Sequence, residues 1–440
     1  MLRLPCHASL CPRYPQDAQL FQQLDTVTMN FGKEGTPLYV VEYWRRVRSL
    51  PPPMLRFLWT DGIYGLSVGI IGVLFNLHLS ALGYSSSAIA FVTSISPFLT
   101  TVLSVAMGRL ADRYGRSRML LLGTTLVALG ALLQPLFQSI VRVTLAQVLF
   151  SLGLVMIGAT EFAIVAAYVE PEERAFAISV IFANFMLMIG VGSVLGGVLP
   201  SLLPVMRTPY ESTLILSGII FLIAPLGRIT MTPVKQTAAA PRITGGWFRR
   251  PSRAVTLYGV FALLSGMSYG FTIPYLNLLL ARQFGLSAPV IGGVLAVNEG
   301  ALFLGSFFTP LIMDRTGAEK ILGPLLMIVC LANAALATSL DLIAFVALLL
   351  IRSAANMVYA PTFDSRALGS VPDADRATMQ SFRALMRGIG SIVSVWGGGF
   401  FLTWRAYRLA FAATSAVMLL MFVFYHVWLR SVSHDGTEPA

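Results

Sequence analysis

The sequence GRLADRYGRSR, residues 108–118, lies between two long apolar stretches of the chain. A weaker copy of this charged motif follows 202 positions later, again between apolar stretches. The matched pairs are Asp112 and Asp314, Arg113 and Arg315, and Gly115 and Gly317. The motif therefore indicates that one unit of the chain has been duplicated.

Other landmarks recur at nearly the same spacing, which chance does not explain. The recurring pairs are Gly83 and Gly285, Ser85 and Ser287, Gly196 and Gly398, and Gly197 and Gly399 at 202 positions, with Gly65 and Gly266, Gly69 and Gly270, and Asn76 and Asn277 at 201. Duplicated halves in a membrane-spanning chain are typical of transporters.

The composition requires a membrane. Of the 440 residues, 56% are hydrophobic and 12% are charged, and the mean hydropathy is +0.75. This leaves too little polar surface to cover a water-soluble globule. An apolar run of about 20 residues crosses the ~30 Å hydrocarbon core of a bilayer as a helix. We predict twelve such helices, near residues 54–80, 87–107, 119–138, 143–167, 176–200, 212–230, 254–281, 288–312, 321–339, 341–362, 377–403 and 409–429.

The predicted fold is therefore an all-α integral membrane protein with twelve transmembrane helices in two pseudo-symmetric six-helix bundles. We expect a tail over residues 1–53 with an interfacial helix, bundles over 54–230 and 254–430, a linker over 231–253 and a tail over 431–440. An alternative is that residues 1–53 do not belong to the native protein, which would then begin at Met54.

The net charge of +11 follows the predicted topology rather than a nucleic-acid surface. When loops are assigned alternately to the two sides, 22 of the 31 Lys and Arg residues fall in the tails and on the side of the tails. Such an excess marks the cytoplasmic side, so both termini are expected in the cytoplasm. Arg outnumbers Lys 28 to 3, which favours a GC-rich genome and a bacterial inner membrane.

Cysteine usage gives no sign of a cofactor or a catalytic site. Cys6, Cys11 and Cys330 are too few for a disulfide framework and lack the spacing of a zinc site. The chain contains no P-loop and no nucleophile with a matching base, so we expect neither an enzyme nor a bound metal or cofactor.

The motif of residues 108–118 resembles the loop signature that the major facilitator superfamily carries between its second and third helices. Gly108 and Gly115 are expected to allow backbone conformations closed to other residues. The resemblance implies a gating loop formed by Gly108, Asp112, Arg113, Gly115 and Arg116, with a second copy at Asp314, Arg315 and Gly317. It also implies that Asp112 contacts the segment from Arg376 to Arg383, and that Asp314 lies near Arg174.

Charges inside the predicted spans form a second signal, because a charge at mid-bilayer costs about 2.5–3.5 kcal/mol. These candidates for proton coupling are Asp61, Glu161, Glu299, Arg352, Arg383 and Arg387. A carboxylate can load and release a proton as an arginine moves toward or away from it. We regard Glu299 and Arg352 as the leading pair, with a static structural ion pair as the alternative.

Helix 5 carries a glycine-rich stretch that permits close helix packing, formed by Gly192, Gly196 and Gly197. It partly resembles the motif of drug/proton antiporters, from which it departs at Ser193, where that motif has a proline.

The resemblance also implies a central cavity lined by helices 1, 4, 7 and 10. The candidate lining residues are Trp59, Tyr64, Asn76, Tyr269, Tyr275, Asn277, Asn298 and Asn356. Aromatic walls suit an amphipathic or lipophilic substrate better than a sugar. We therefore predict a monomeric transporter that works by alternating access and exports small amphipathic compounds in exchange for protons. The alternatives are a proton-linked importer of a small metabolite and a transport-dead membrane sensor.

Overall fold

The structure is a computed structural model that describes residues 45–170, 173–229, 252–316, 318–338, 341–371 and 373–430. Most of the predicted linker, the last ten residues and most of the predicted N-terminal tail lie outside the described residues. The chain divides into two units, Met1–Leu50 and Pro51–Ala440. In the first unit, residues 45–48 are helical. The second unit contains all of the helices discussed below.

Among the described residues of this second unit, twelve helices are long and apolar enough to cross a membrane, which confirms the predicted number. They are α1 Pro52–Ala81, α2 Ser86–Tyr114, α3 Arg116–Leu133, α4 Ile140–Tyr168, α5 Arg174–Val198, α6 Glu211–Ile229, α7 Arg253–Phe284, α8 Ala288–Thr316, α9 Ala318–Thr338, α10 Leu342–Gly369, α11 Asp373–Thr403 and α12, which spans Tyr407–Leu429.

The helix pairs reproduce the duplication seen in the sequence. In the first half α1 packs against α5 and α6, α3 against α4 and α6, and α2 against α4. In the second half α7 packs against α11 and α12, α9 against α10 and α12, and α8 against α10. The halves contact each other through α5 with α8 and through α11 with α2. Each contact has its counterpart six helices later, as a pseudo-twofold arrangement requires.

The seventh helix is interrupted, which the apolar pattern did not predict. Its first segment ends at Gly270, a 3₁₀ turn covers Ile273–Tyr275, and a second segment runs over Leu276–Phe284. Pro274 lies in this turn and has no N–H for a helical hydrogen bond. Discontinuous membrane helices place backbone groups and side chains inside the protein at the break.

Candidate functional site

A buried cluster of charges lies in the first half, where α1, α4 and α6 meet. Asp61 is 2% exposed, Arg228 is 4% exposed, and Glu161 is partly buried. The three charged groups interact electrostatically with one another. Arg228 donates from Nε to Thr60 Oγ1 at 3.3 Å, and its guanidinium lies 5.1 Å from the ring centre of Phe57.

This cluster is incompletely hydrogen-bonded. Oδ2 of Asp61 and both Nη atoms of Arg228 are buried without a hydrogen-bond partner. The sequence had indicated Asp61 and Glu161 as candidates but not Arg228, because Arg228 lies in the last turn of a span beside a basic linker. At such a position an arginine is indistinguishable from a topology-fixing charge.

A second set of polar residues lies around Arg352 in α10. The Arg352 side chain is 7% exposed, Nη2 donates to Thr272 Oγ1 at 3.5 Å, and buried Nη1 makes no hydrogen bond. Tyr269 interacts electrostatically with both Arg352 and Glu299. Glu299 faces α5, since a Cβ added at Gly190 would lie 3.7 Å from the Cβ of Glu299.

A static ion pair between Glu299 and Arg352, the alternative to their predicted role in proton coupling, is absent from this conformation, and the coupling role stays a prediction. Both residues are described, and no ion pair joins them. The physical reason is their direction: Arg352 reaches toward the break in α7 at Thr272, whereas Glu299 faces the other half of the molecule.

A third charge cluster joins α10 to α11. Asp364 accepts an ionic hydrogen bond from Arg383 and a second from Arg387 at 3.3 Å. The guanidinium of Arg383 is almost fully buried and lies 5.6 Å from the ring centre of Phe363, whereas the Arg387 side chain is 48% exposed. The sequence did not indicate Asp364, because the predicted span ended at residue 362.

The motif of residues 108–118 is mostly helical rather than a loop. Only Gly115 separates α2 from α3, and its φ of 99° is a backbone conformation closed to other residues, as predicted. The same prediction for Gly108 is wrong, because Gly108 lies inside α2 and has no positive φ. Asp112 pairs with Arg116 at 3.1 Å.

The predicted contacts of Asp112 with the segment from Arg376 to Arg383, and of Asp314 with Arg174, involve residues that are only partly described. Arg383, one end of the segment expected near Asp112, contacts Asp364 instead. The side chains of Arg376, Asp314 and Arg315 lie outside the described set, as does residue 317. The predictions for these residues therefore stay predictions, and so does the gating role of Arg113.

The predicted aromatic lining residues occupy different environments. Tyr64 is buried against Phe185 and Phe221, and the hydroxyl of Tyr275 donates to a backbone carbonyl of α11. Trp59 is 62% exposed in a groove between the tail-side ends of α1 and α6, and Tyr269 is 52% exposed. Tyr64 and Tyr275 thus pack between helices, while Tyr269 presents its ring to open space.

The four asparagines predicted to line the cavity also lie in different environments. Asn298 accepts a hydrogen bond from Ser353 at 2.7 Å inside the second half, whereas Asn356 is exposed. Asn76 and Asn277 lie in the contact between the halves. Asn76 donates to Pro274 O at 2.7 Å and to Asn277 Oδ1 at 3.3 Å, and Asn277 donates to the carbonyls of residues 72 and 73 at 3.1 and 2.9 Å.

Further contacts close this same end of the molecule. Arg282 at the end of α7 donates to Ser86 at 2.8 Å and to Ser80 at 3.0 Å. Phe91 of α2 packs edge-on against Trp396 of α11. Hydrogen bonds and aromatic packing thus hold the halves together at the end that carries the loops after α1 and α7.

The glycines of α5 lie at helix contacts. A Cβ at Gly192 would lie 2.0 Å from the carbonyl oxygen of Leu66 in α1, and one at Gly196 would lie 3.0 Å from Ile70 Cα. Gly197 faces the start of α8 in the other half, where an added Cβ would lie 2.8 Å from a backbone oxygen. Small residues here let α5 contact both halves closely.

Twelve spanning helices in duplicated halves, with charges buried inside them, are the architecture of a multi-pass membrane transporter. The family model of the Major Facilitator Superfamily matches residues 60–261 and again residues 258–440. The chain therefore belongs to the major facilitator superfamily. No curated protein sequence matches it.

Solved transporters share this fold at low sequence identity. A bacterial homologue of the human lysosomal transporter Spinster, in an inward-facing and occupied conformation, aligns with a TM-score of 0.71 at 16% identity, covering 92% of this chain and 100% of that one. A bacterial homologue of the iron transporter ferroportin, in the inward-facing state, gives 0.71 at 15%, covering 86% and 98%. The nucleoside transporter NupG gives 0.69 at 15%, covering 86% and 100%. At these identities the similarity concerns the fold alone.

Proposed function

We propose that this protein is a secondary active transporter that exports small amphipathic compounds in exchange for protons by alternating access. The observation that carries the proton coupling is the buried cluster of Asp61, Glu161 and Arg228 in the first half. Two carboxylates and one guanidinium sum to one negative charge when all three are ionised. Since uncompensated charge inside a membrane protein is costly, the cluster is balanced when one carboxyl carries a proton.

The unpaired atoms of this cluster support a role in proton movement. Oδ2 of Asp61 and the Nη atoms of Arg228 have no hydrogen-bond partner among the described residues, so the two opposite charges are near each other without being locked in a static bridge. A small shift of α6 against α1 changes the distance between the arginine and Asp61. Such a shift would change proton affinity as the transporter changes conformation.

Alternating access is supported by the unequal ends of the molecule. The halves are joined at the end near residues 76 and 277, whereas Asp364 and Arg387 near the other end are 38% and 48% exposed. Half-exposed charges on spanning helices belong in water rather than lipid. We therefore take the conformation as open toward the side of the tails, with residues 54–230 and 254–430 rocking against each other as units.

The topology completes the proposal. With a linker over 231–253 and both tails in the cytoplasm of a bacterium, the conformation is inward-facing and the protein lies in the inner membrane. A monomer is sufficient, because the two halves of one chain enclose the proposed path.

Proton coupling is tested with purified protein in proteoliposomes that contain a pH-sensitive dye. Amphipathic compounds are screened for those whose addition moves protons, and the active compound is then assayed with Asp61→Asn, Glu161→Gln and Glu299→Gln, singly and together. Glu170→Gln, at an exposed position, is the matched control. We expect the control to keep substrate-driven proton flux and the triple variant to lose it. Unchanged pH dependence in the triple variant would show that these carboxyls do not carry the proton.

Direction is tested separately in everted membrane vesicles with an imposed inside-acid gradient. Accumulation of the compound inside such vesicles means export from the cell. Release under the same gradient, with accumulation when the gradient is reversed, would identify an importer instead.

A further inference from the structure

Arg352 is a buried cation without a counter-ion among the described residues. Arg352 is 7% exposed, and among the described residues it forms no ion pair and makes one hydrogen bond, to Thr272 at 3.5 Å. Nη1 is buried without any partner. A guanidinium removed from water is stable only when its charge and its N–H groups are compensated. The site is therefore incomplete as it stands.

The surroundings of Arg352 are open on one side. Asn356, one helical turn further on the same face of α10, is exposed. Tyr269 is 52% exposed although it interacts with charged groups on both α8 and α10. These three side chains, a buried arginine flanked by an exposed tyrosine and an exposed asparagine, are called the recess below.

The break in α7 contributes to this recess. Thr272, which accepts the hydrogen bond from Arg352, immediately precedes the 3₁₀ turn Ile273–Tyr275. The same turn supplies the carbonyl of Pro274 that Asn76 contacts in the closed end of the molecule. A ligand bound at Arg352 would thus act on the segment that joins the two halves.

We propose that Arg352, Thr272 and Tyr269 form a subsite at the break in α7 that binds the carboxylate of an amphipathic substrate. The planar guanidinium matches a carboxylate through two parallel hydrogen bonds, and Nη1 is available for one of them. The hydroxyl of Thr272 offers a further donor, and the Tyr269 ring contacts the apolar part. This inference rests on the transport function proposed above and adds the charge of the substrate.

The first test measures whether the recess is open to water and electropositive because of Arg352. The full-length protein carries Cys6→Ser, Cys11→Ser, Cys330→Ser and Asn356→Cys. The new thiol is reacted with negatively charged sulfonatoethyl methanethiosulfonate and with its positively charged trimethylammonium analogue. The thiolate attacks each reagent and displaces methanesulfinate from it, so the ratio of the two rates reports the local potential rather than the ionisation of the thiol.

We expect Arg352→Gln to lower the ratio of the negative to the positive reagent about tenfold or more, because one full charge is removed at short range. The matched control, Arg142→Gln, removes an exposed arginine of the other half and should leave the ratio unchanged. A cysteine that does not react, or a ratio that Arg352→Gln does not change, would overturn the proposal.

The second test uses ligand pairs that differ only in charge. Butyrate, 4-phenylbutyrate and octanoate are each compared with the neutral primary amide as protectants of the cysteine at position 356. We expect at least one carboxylate to slow labelling several-fold while its amide does not, and only when Arg352 is present. Equal effects of acid and amide, or no protection in any pair, would contradict carboxylate recognition.

These results are separable from the proton proposal, because labelling does not depend on proton movement. If substrate-driven proton flux depends on Asp61 and Glu161 but labelling does not depend on Arg352, only this inference fails. If labelling depends on Arg352 while proton flux is unaffected by the three carboxyls, the subsite stands and the proposed coupling fails.

Discussion

Asn76 and Asn277 are equivalent residues of the two repeats, and they hydrogen-bond to each other at 3.3 Å across the contact between the halves. Each also donates to backbone of the opposite half, Asn76 to Pro274 O and Asn277 to the carbonyls of residues 72 and 73. Both side chains are buried. The pair is therefore a self-complementary contact near the pseudo-twofold axis, and its amides are occupied by the protein rather than by a substrate.

Replacing both asparagines by alanine should open this end of the transporter. Several hydrogen bonds between the halves disappear together, and a net loss of about 1.4 kcal/mol shifts the conformational balance about tenfold. Spin labels at the exposed positions Ala81 and Ser287 report the change by double electron–electron resonance. We expect a longer-distance population in Asn76→Ala/Asn277→Ala.

Asn184→Ala is the control for this prediction, because its amide donates to Leu58 O within the first half at 2.9 Å. It removes a similar bond without touching the contact between the halves. An unchanged distance distribution in the double variant would mean that packing alone closes this end.

The sequence predicts the architecture well but the partners of its charged residues poorly. Twelve spans and a duplication follow from hydropathy and from matched residues such as Asn76 and Asn277. The spacing of 201 cannot show that these two lie near the symmetry axis, since every matched pair is 201 or 202 positions apart. Arg228 and Asp364 escaped prediction because both lie at span ends, where charges are ordinary. Helical continuation through Gly108 depends on backbone hydrogen bonds that composition does not reveal.

Removing Arg228 should destabilise the protein, and neutralising one carboxyl should reverse part of the loss. Arg228→Met leaves Asp61 and Glu161 buried near each other without their cation, which costs about 3–5 kcal/mol for a buried charge that loses its partner. Asp61→Asn in the same background removes one of these two carboxyls and its repulsion of Glu161. Thermal unfolding in detergent should show a lower midpoint for Arg228→Met and recovery in the double variant.

Arg142→Met, at an exposed arginine, should leave the unfolding midpoint almost unchanged. A double variant no more stable than Arg228→Met would argue against a direct interaction between the arginine and Asp61.

The buried contact of Asp364 with Arg383 should stabilise the protein more than its exposed contact with Arg387. Arg383 is 2% exposed and Arg387 is 48% exposed. Asp364→Asn should cost about 3 kcal/mol, because it leaves the buried Arg383 without a counter-ion. Arg387→Gln should cost less than about 1 kcal/mol, since solvent screens an exposed pair. Equal losses in the unfolding midpoint of the two variants would show that burial does not set the strength of this cluster.

Arg207 should not be replaceable by lysine. It contacts both carboxylate oxygens of Glu211 and donates to the carbonyls of Leu136 and Pro135, both at 3.1 Å. The hydrogen bond with Glu211 raises the pKa of Arg207, so the guanidinium stays charged at every pH at which the folded protein can be assayed. Lysine keeps the charge but cannot make these bonds together. We expect Arg207→Lys to lower stability by about 2 kcal/mol, whereas Arg408→Lys at an exposed position should have no effect in the same unfolding assay.

Gly192 should be intolerant of even a methyl group. A Cβ at this position would lie 2.0 Å from Leu66 O, so Gly192→Ala forces α5 away from α1. Overpacking of this kind costs about 1–3 kcal/mol. Gly158→Ala is the matched control, because a Cβ there meets nothing within 4 Å and alanine favours the helix. We expect a lower unfolding midpoint and slower transport for Gly192→Ala only. Equal unfolding midpoints and transport rates in the two variants would mean that α5 can move away from α1 without cost. That outcome is incompatible with α5 as a rigid element of the first half.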